Sequence, residues 1–229
     1  MGEIRSKDIT YAANGVDDTG FLAQPGDAGA HPAVIVIQEW WGVDEHIRDV
    51  AGRLAGEGFV ALAPDLYHGE VATEPDEARK LVMNLNRQRA MKDLLGAVRY
   101  LQSLDAVAPK KVGCIGFCMG GSLTLALAAG TPDVAAAAPF YAGFQPGADE
   151  IGRIEAEMFC AFGADDGGIP LENVRKFEET LRATGRRAEV KVYDGAPHSF
   201  FNDTKPSYRA DASADAWARS LALFRRVLL

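Results

Sequence analysis

The stretch from Lys111 to Gly121, KVGCIGFCMGG, joins a short apolar run to a turn in which glycines flank a cysteine. A helical pattern of small residues, Ser122 to Ala129, follows at once. A nucleophile on a sharp strand-to-helix turn needs glycines two residues away, because the strained turn leaves no room there for side chains. The turn also places Cys118 at a helix N-terminus, where the helix dipole favours the thiolate. The pattern therefore predicts Cys118 as a nucleophile.

Two less demanding interpretations of this turn are a phosphate-binding glycine loop and a cysteine that is merely buried. The pattern G-x-C-x-G-G is neither the G-x-G-x-x-G of dinucleotide-binding proteins nor the G-x-x-x-x-G-K-[ST] phosphate loop. No acidic residue follows at the distance that a dinucleotide ribose requires. The nucleophile is therefore the favoured interpretation.

Short apolar runs alternate with longer helical patterns along the chain. The predicted strands are 33–37, 59–63, 111–116, 134–140, 158–163 and 189–193. The predicted helices are 45–57, 74–84, 87–103, 122–129, 170–184 and 211–227. Strands that are joined by helices lie parallel, with helices on both faces of the sheet. We therefore predict an α/β fold with a mainly parallel central sheet, in one domain over residues 1–229.

Both ends of the predicted sheet have a distinct pattern. Apolar and charged residues alternate in 189–193, EVKVY, which places this strand nearer an edge. The segment before Ala33 contains the turn signal Asn14-Gly15 and predicts an antiparallel hairpin added to one edge.

Composition excludes several classes of partner. The 229 residues carry a formal charge of -8, which argues against binding to nucleic acid or an anionic membrane. No stretch has the pattern of a signal peptide or a membrane span, so we expect a cytoplasmic protein with reduced cysteines. The chain has no H-E-x-x-H or comparable cluster, so neither a metal nor a cofactor is predicted. We expect a monomer that binds a small-molecule substrate.

Two further segments place polar side chains directly after predicted strands. In 163–166, GADD, either carboxylate could orient a histidine or cap a helix. His198 lies in the loop 194–200, DGAPHSF, directly after the last predicted strand. The chain order of nucleophile, acid and histidine is the one that α/β-hydrolases use. We therefore expect these three groups to meet beyond the carboxyl ends of the strands.

A fourth segment, 38–42 (QEWWG), follows the strand that ends at Ile37. A second oxyanion-hole N–H is usually supplied from this place, although a tryptophan pair in the core would give the same pattern. Among the remaining histidines, His31 and His46 are predicted to lie on the surface.

Together these segments resemble the dienelactone hydrolase family, the carboxymethylenebutenolidases of the α/β-hydrolase superfamily. The resemblance rests on four segments: Q-E-x-x-G at 38–42, P-D-L-Y at 64–67, the G-x-C-x-G-G turn at 116–121, called the elbow below, and His-Ser-Phe at 198–200. It covers almost the full chain. It implies an α/β-hydrolase fold and the hydrolysis of lactone or carboxylic ester bonds. It also implies a catalytic triad of Cys118, His198 and Asp166 that acts through a thioester.

The resemblance further implies an oxyanion hole formed by the backbone N–H groups of Met119 and Trp40. In this family the glutamate equivalent to Glu39 contacts the resting cysteine and moves away when substrate binds. That behaviour is physically reasonable, because a carboxylate beside a thiol disfavours a second negative charge. Glu39 is therefore expected to gate the nucleophile.

The chain departs from the family pattern at one position. Members that cleave dienelactone carry an arginine four residues after the catalytic histidine, where this chain has Asn202. A neutral side chain binds a substrate carboxylate less well than a cation does. Arg79, Lys80 or Arg87 could supply another cationic anchor, or could form a solvated helix face. The residues predicted to line the substrate pocket are Tyr67, Arg79, Phe200 and Asn202.

Two alternatives to a dienelactone hydrolase remain. One is a general short-chain carboxylesterase or thioesterase with the same triad, and the other is a non-catalytic protein of the same fold that binds a small ligand. A reactive Cys118 would separate the enzymes from the binding protein, because Cys114 and Cys160 are predicted to be buried in strands.

Overall fold

Strands and helices alternate along a computed structural model that describes residues 2–13 and 15–229. The strands found there are Ile4–Ala13 (β1), Val16–Pro25 (β2), Ala33–Ile37 (β3), Val60–Pro64 (β4), Val112–Phe117 (β5), Val134–Phe140 (β6), Glu157–Gly163 (β7) and Ala188–Tyr193 (β8). The helices are Glu45–Gly56 (α1), Pro75–Asn84 (α2), Arg87–Ser103 (α3), Met119–Gly130 (α4), Ala148–Ile151 (α5), Leu171–Ala183 (α6) and Ala210–Leu228 (α7).

The sheet has the strand order β1-β2-β4-β3-β5-β6-β7-β8. Strands β3 and β4 pair in parallel, as do β6 with β7 and β7 with β8. The predicted α/β fold with a mainly parallel sheet is therefore confirmed, as is the edge position of β8. The predicted hairpin is also confirmed, since β1 pairs antiparallel with β2 at the other edge. Of its predicted turn, Asn14 lies outside the described residues, and Gly15 adopts a φ of 82°.

Two compact units divide the chain inside β5, the first ending at Cys114 and the second beginning at Ile115. We describe each unit by itself, and the single domain over residues 1–229 stays a prediction. Among the described residues, none of the helices has the length and apolarity that crossing a membrane requires.

The N-terminal unit has helices on both faces of its strands. Neighbouring residues of a strand point to opposite faces. On one face, Gly96 of α3 packs so closely against β1 that a Cβ on it would lie 2.4 Å from the Cβ of Ala13. On the other face, the guanidinium of Arg48 from α1 lies 4.7 Å from the centre of the Phe21 ring on β2. The predicted arrangement of helices on both faces is thus present in this unit.

The C-terminal unit has a core of aromatic side chains behind the ends of its strands. Phe117 at the end of β5 stacks on Phe201, with 5.1 Å between the ring centroids, and lies 5.0 Å from Phe140 at the end of β6. All three side chains are buried. This packing fixes the positions of the loops that follow the strands.

Three details differ from the sequence-based expectations. Helix α4 begins at Met119 rather than at Ser122, because the turn passes directly from strand to helix. The short helix α5 was not predicted. His46 is 1% exposed, so its predicted surface position is wrong. It lies one helical turn before Val50 and therefore falls within the buried stripe of α1.

Candidate active site

Cys118 lies at the tip of a strained turn between β5 and α4. Its backbone has φ 56° and ψ -116°, a region that residues other than glycine rarely adopt. Such a conformation costs about 1–3 kcal/mol and persists only where the surroundings enforce it. The backbone N–H of Cys118 donates to the carbonyl of Phe140 at 3.1 Å, which ties the turn to β6. The side chain is held partly exposed at the start of the helix.

The glycines around the cysteine allow this turn to close. A Cβ on Gly116 would lie 2.3 Å from the carbonyl oxygen of Gly120, and a Cβ on Gly121 would lie 2.4 Å from that of Phe140. Both distances are far below van der Waals contact with backbone atoms that cannot move away. The G-x-C-x-G-G pattern is therefore explained by the close packing of β5, α4 and β6.

Asp166 follows β7 and faces the histidine loop. Its Oδ2 lies 2.7 Å from Nδ1 of His198, and its Oδ1 accepts hydrogen bonds from the backbone N–H groups of Gly168 at 2.8 Å and Ile169 at 3.1 Å. The carboxylate is buried, whereas the neighbouring Asp165 is exposed. The geometry thus distinguishes the two carboxylates that the sequence leaves open.

The acid turn, residues 163–166, and the histidine loop, residues 194–200, are in direct backbone contact. A Cβ on Gly163 would lie 2.1 Å from the carbonyl oxygen of Ala196, so only glycine fits at the end of β7. The N–H of Ala164 donates to the carbonyl of Tyr193, and that of Asp165 donates to the carbonyl of Ala196. These contacts fix the separation between Asp166 and His198.

His198 connects the carboxylate to the cysteine, because its ring hydrogen-bonds both Asp166 and Cys118. Burial lowers the pKa of the ring, but the hydrogen bonds and negative charges of Asp166 and Cys118 outweigh it and raise the pKa to about 10. At neutral pH the ring is therefore an imidazolium. A cation at this position stabilises a thiolate at Cys118.

Tyr141 was not identified from the sequence, although it directly follows β6. Its ring centroid lies 5.1 Å from that of His198, and its side chain is fully buried. Its backbone has a φ of 36° and donates a hydrogen bond to the carbonyl of Ala161 at 2.7 Å. Tyr141 therefore supports the imidazole from the sheet side. Its place after a predicted strand was the one available signal.

The other two cysteines differ from Cys118. Cys114 and Cys160 are fully buried in β5 and β7, as predicted, and burial raises the pKa of both thiols. Cys118 is partly exposed. Selective alkylation at Cys118 is therefore expected.

The segment 38–42 lies in the N-terminal unit, directly after β3. Glu39 is 1% exposed and Trp40 is half-buried. The side chain of Gln38 accepts a hydrogen bond from the N–H of Leu66 at 3.0 Å and so holds the loop after β4. Trp41 packs with Ala72 and Ala78, as a core tryptophan would. The oxyanion-hole role of Trp40 and Met119 and the gating role of Glu39 stay predictions.

The predicted pocket residues lie in different environments. Phe200 is fully buried, with ring centroids 5.3 Å from Tyr193 and 5.5 Å from Tyr141. Asn202 is also fully buried, and its Oδ1 accepts hydrogen bonds from the N–H and hydroxyl of Thr204. In the N-terminal unit, Tyr67 is buried in the loop after β4, whereas Arg79 is exposed on α2. Substrate contact by these four residues stays a prediction.

A model of the dienelactone hydrolase family matches residues 19–228 of the chain. The chain belongs to this family. A Synechocystis sp. protein that is provisionally named a carboxymethylenebutenolidase is 35% identical to it over 243 aligned residues, which cover 99% of this chain and 98% of the relative.

Two solved structures have the same fold as this chain. A Klebsiella pneumoniae protein, provisionally named a dienelactone hydrolase, is 31% identical with a TM-score of 0.91, and the match covers 98% of this chain and 100% of the other. A dienelactone hydrolase-like promiscuous phosphotriesterase from metagenomic libraries is 27% identical with a TM-score of 0.89 and full coverage of both chains. As a member of the family, the protein is a hydrolase of ester bonds with an α/β-hydrolase fold.

Proposed function

We propose that this protein hydrolyses lactones or carboxylic esters with Cys118 as nucleophile, His198 as proton carrier and Asp166 as the group that orients the imidazole. The observation that carries the proposal is the continuous hydrogen-bonded chain from Cys118 through His198 to Asp166. It begins on a strained strand-to-helix turn, the place where hydrolases of this fold carry their nucleophile.

In the first half of the reaction, the Cys118 thiolate attacks the carbonyl carbon and the carbonyl oxygen takes the negative charge. The proposed oxyanion donors are the backbone N–H groups of Met119 and Trp40, and one such donor contributes about 3 kcal/mol in comparable sites. The carbon–oxygen bond then breaks, and the His198 imidazolium donates its proton to the leaving alkoxide. A thioester remains on Cys118.

In the second half, neutral His198 accepts a proton from water as the water oxygen attacks the thioester. The carbon–sulfur bond breaks, the acid product leaves, and the thiolate–imidazolium pair is restored. Throughout, Asp166 holds the Nδ1–H so that Nε2 faces the reacting atoms. Its two backbone hydrogen bonds keep the carboxylate in place.

Glu39 is proposed to gate this chemistry, as the family resemblance implies. A buried carboxylate that leaves the nucleophile only when substrate binds would protect the thiol from oxidation between turnovers. Glu39→Gln removes the charge at constant shape. We expect the variant to be inactivated faster by hydrogen peroxide in the absence of substrate, and equal inactivation rates would contradict the gate.

The substrate is proposed to be an ester or lactone without a carboxylate close to the scissile bond. The neutral, buried Asn202 already uses its Oδ1 to accept hydrogen bonds from Thr204. A neutral amide carries no positive charge, so Asn202 cannot form the bidentate ion pair that an arginine would form with a substrate carboxylate. Arg79, Lys80 and Arg87 remain the alternative anchors if dienelactone is cleaved.

The test compares hydrolysis of a short-chain aryl ester and of a dienelactone by the native protein and by Cys118→Ala. We expect the native protein to cleave the aryl ester faster and the variant to cleave neither, with an unchanged melting temperature. Cys118→Ser is the matched control, because it replaces the thiol with a hydroxyl on the same turn. Full activity of Cys118→Ala would remove the nucleophile assignment. A native protein that cleaves neither compound would favour the alternative of a non-catalytic binding protein.

Phosphotriester hydrolysis is a second candidate activity, favoured by the likeness to the metagenomic phosphotriesterase. A thiolate can displace an aryl alcohol from phosphorus as it does from a carbonyl carbon. Adding an aryl phosphotriester to the same panel tests this activity, and the Cys118→Ala variant shows whether the two reactions share a nucleophile.

A further inference from the structure

A second group of polar side chains lies inside the N-terminal unit, apart in sequence from the proposed triad. Tyr11 on β1 and Asp18 on β2 are direct partners in the antiparallel register, so their side chains lie on the same face of the hairpin. The close contact of Gly96 with Ala13 brings α3 against that face. Asp93 lies one helical turn before Gly96, and its carboxylate therefore lies close to that of Asp18.

His68 completes this group from the loop after β4. Its backbone has a φ of 54°, in the left-handed region, which aims the ring at the two carboxylates. Nδ1 lies 3.6 Å from Oδ1 of Asp18, and Nε2 lies 3.8 Å from Oδ2 of Asp93. Both distances are too long for hydrogen bonds. One ligand atom from each of Asp18, His68 and Asp93 lies within 4.8 Å of the other two.

Several polar atoms of this group are buried without a hydrogen-bond partner among the described residues. Asp18 is 2% exposed and Asp93 is 3% exposed. Both carboxylate oxygens of Asp18, the Oδ2 of Asp93 and the hydroxyl of the buried Tyr11 have no hydrogen-bond partner among the described residues. A buried carboxylate without such partners destabilises the fold unless a cation or a proton neutralises it. A charged guanidinium also lies near the group, with the Nε of Arg89 3.9 Å from Oδ2 of Asp93.

Electrostatics point in the same direction. Asp18 and Asp93 place two buried carboxylates close together, with ligand atoms within 4.8 Å of each other. A dication between two carboxylates would balance both of their negative charges. A cavity of about 180 Å³ lined by His68, Arg89 and Asp93 provides an access route from solvent.

We propose that Asp18, His68 and Asp93 bind a divalent transition-metal cation. Two carboxylate oxygens and one imidazole nitrogen form a mixed set of ligands. Such a set suits Zn²⁺ and Mn²⁺ better than it suits cations that prefer oxygen ligands alone, such as Ca²⁺ and Mg²⁺. Ligands of a tetrahedral zinc ion lie roughly 3.4 Å apart, so the three side chains need only small rotations to close around it. The bound ion ties the β1–β2 hairpin to α3 and to the loop after β4. Its role is structural and does not depend on the proposed hydrolysis.

The experiment titrates metal-free protein with ZnCl₂ and with MnCl₂ by calorimetry and follows the melting temperature. It uses the Cys118→Ala chain, because the thiolate and imidazole of the proposed triad could themselves bind Zn²⁺. We expect one ion per chain. At a hundredfold excess over the dissociation constant, the melting temperature should rise by roughly 5–10 °C.

Three variants locate the site. Asp93→Asn and His68→Asn should each weaken binding more than roughly 100-fold, since loss of an outer-shell partner alone weakens it 10–100-fold. Asparagine tolerates the left-handed backbone at position 68, so the second variant removes the ligand and keeps the turn. Asp17→Asn is the matched control, because Asp17 neighbours Asp18 on β2 but is exposed on the opposite face. It should bind like the parent.

Two results would overturn the proposal. Either neither ion binds with one-to-one stoichiometry, or Asp93→Asn and His68→Asn bind as tightly as Asp17→Asn. In both cases Asp18 and Asp93 neutralise their charge by sharing a proton instead. If Asp93→Asn does not fold, as judged by circular dichroism, the partly exposed His68 carries the test.

Discussion

Two clusters in this molecule place a partly exposed histidine beside a buried aspartate, and they differ in what surrounds the carboxylate. Asp166 is hydrogen-bonded by two backbone N–H groups and by His198. Asp18 accepts no hydrogen bond among the described residues, and its histidine stays 3.6 Å away. Full hydrogen bonding fixes the first carboxylate and orients its histidine. The second has no hydrogen-bond donor among the described residues, and this is the basis for proposing that it binds a cation.

Asp166→Asn removes the charge of the well hydrogen-bonded carboxylate, and we expect it to have the largest effect, a loss of catalytic rate. An asparagine holds the imidazole in the wrong tautomer, and kcat for an aryl ester should fall by about 10³–10⁴-fold. Steady-state kinetics measure the loss. Asp165→Asn is the matched control, because Asp165 is exposed, and its kcat should stay within about twofold of native. Equal losses in the two variants would show that Asp166 does not orient His198.

Gly163→Ala tests the close contact that positions the acid turn. The added Cβ would lie 2.1 Å from the carbonyl oxygen of Ala196, so the free energy of unfolding should fall by about 3 kcal/mol or more. Urea denaturation measures this change. Gly167→Ala is the control, since a Cβ there has no atom within 4 Å among the described residues, and it should change stability by less than about 1 kcal/mol. Similar losses would mean that the backbone contact is not tight.

The protonation of His198 gives a third test. Its pKa of about 10 lies above the ordinary 6.5, so the folded chain binds this proton more tightly than the unfolded chain does. The resulting stability is fully present below about pH 6.5 and is lost as the pH rises toward 10. Nuclear magnetic resonance of the ring should show an imidazolium at pH 7. In Cys118→Ala the midpoint should fall by at least about one pH unit, because two causes of the raised pKa are removed. An unchanged midpoint would show that the cysteine is not paired with the ring.

The smallest effect is expected from Asp18→Asn in metal-free protein. It removes one of two repelling charges and supplies an amide donor to Asp93, so the free energy of unfolding should rise by about 1 kcal/mol at pH 8. Thermal unfolding in the presence of a chelator measures it. A fall in the free energy of unfolding would contradict this, because it would show that the Asp18 carboxylate is already stabilised by its surroundings.

The sequence alone predicted the parts of the fold that local patterns specify. Strand β3, strand β6 and helix α3 have the predicted bounds, because their apolar spacing and flanking turns agree. Cys118 and His198 were identified because the elbow and the loop follow strands, and the ends of parallel strands meet at one edge. In the structure the ring of His198 contacts both Asp166 and Cys118, and the action of the three as a catalytic triad stays a prediction.

What the sequence did not reveal depends on tertiary packing. Asp18, His68 and Asp93 come from a hairpin, a loop and a helix, with no spacing in the chain to connect them, and no metal was predicted. His46 looked like a surface residue because histidine is polar, yet its place one turn from Val50 buries it. Tyr141 supports the imidazole through a contact that only the folded loop creates.

The left-handed backbone at Cys118 also restricts which nucleophiles this scaffold can carry. A β-branched side chain is disfavoured at positive φ, so threonine would strain the turn further, whereas serine differs from cysteine by one atom and fits. Laboratory evolution from this chain could therefore exchange sulfur for oxygen chemistry in one step. A change of Cys118 to threonine would instead disrupt the turn that exposes the side chain.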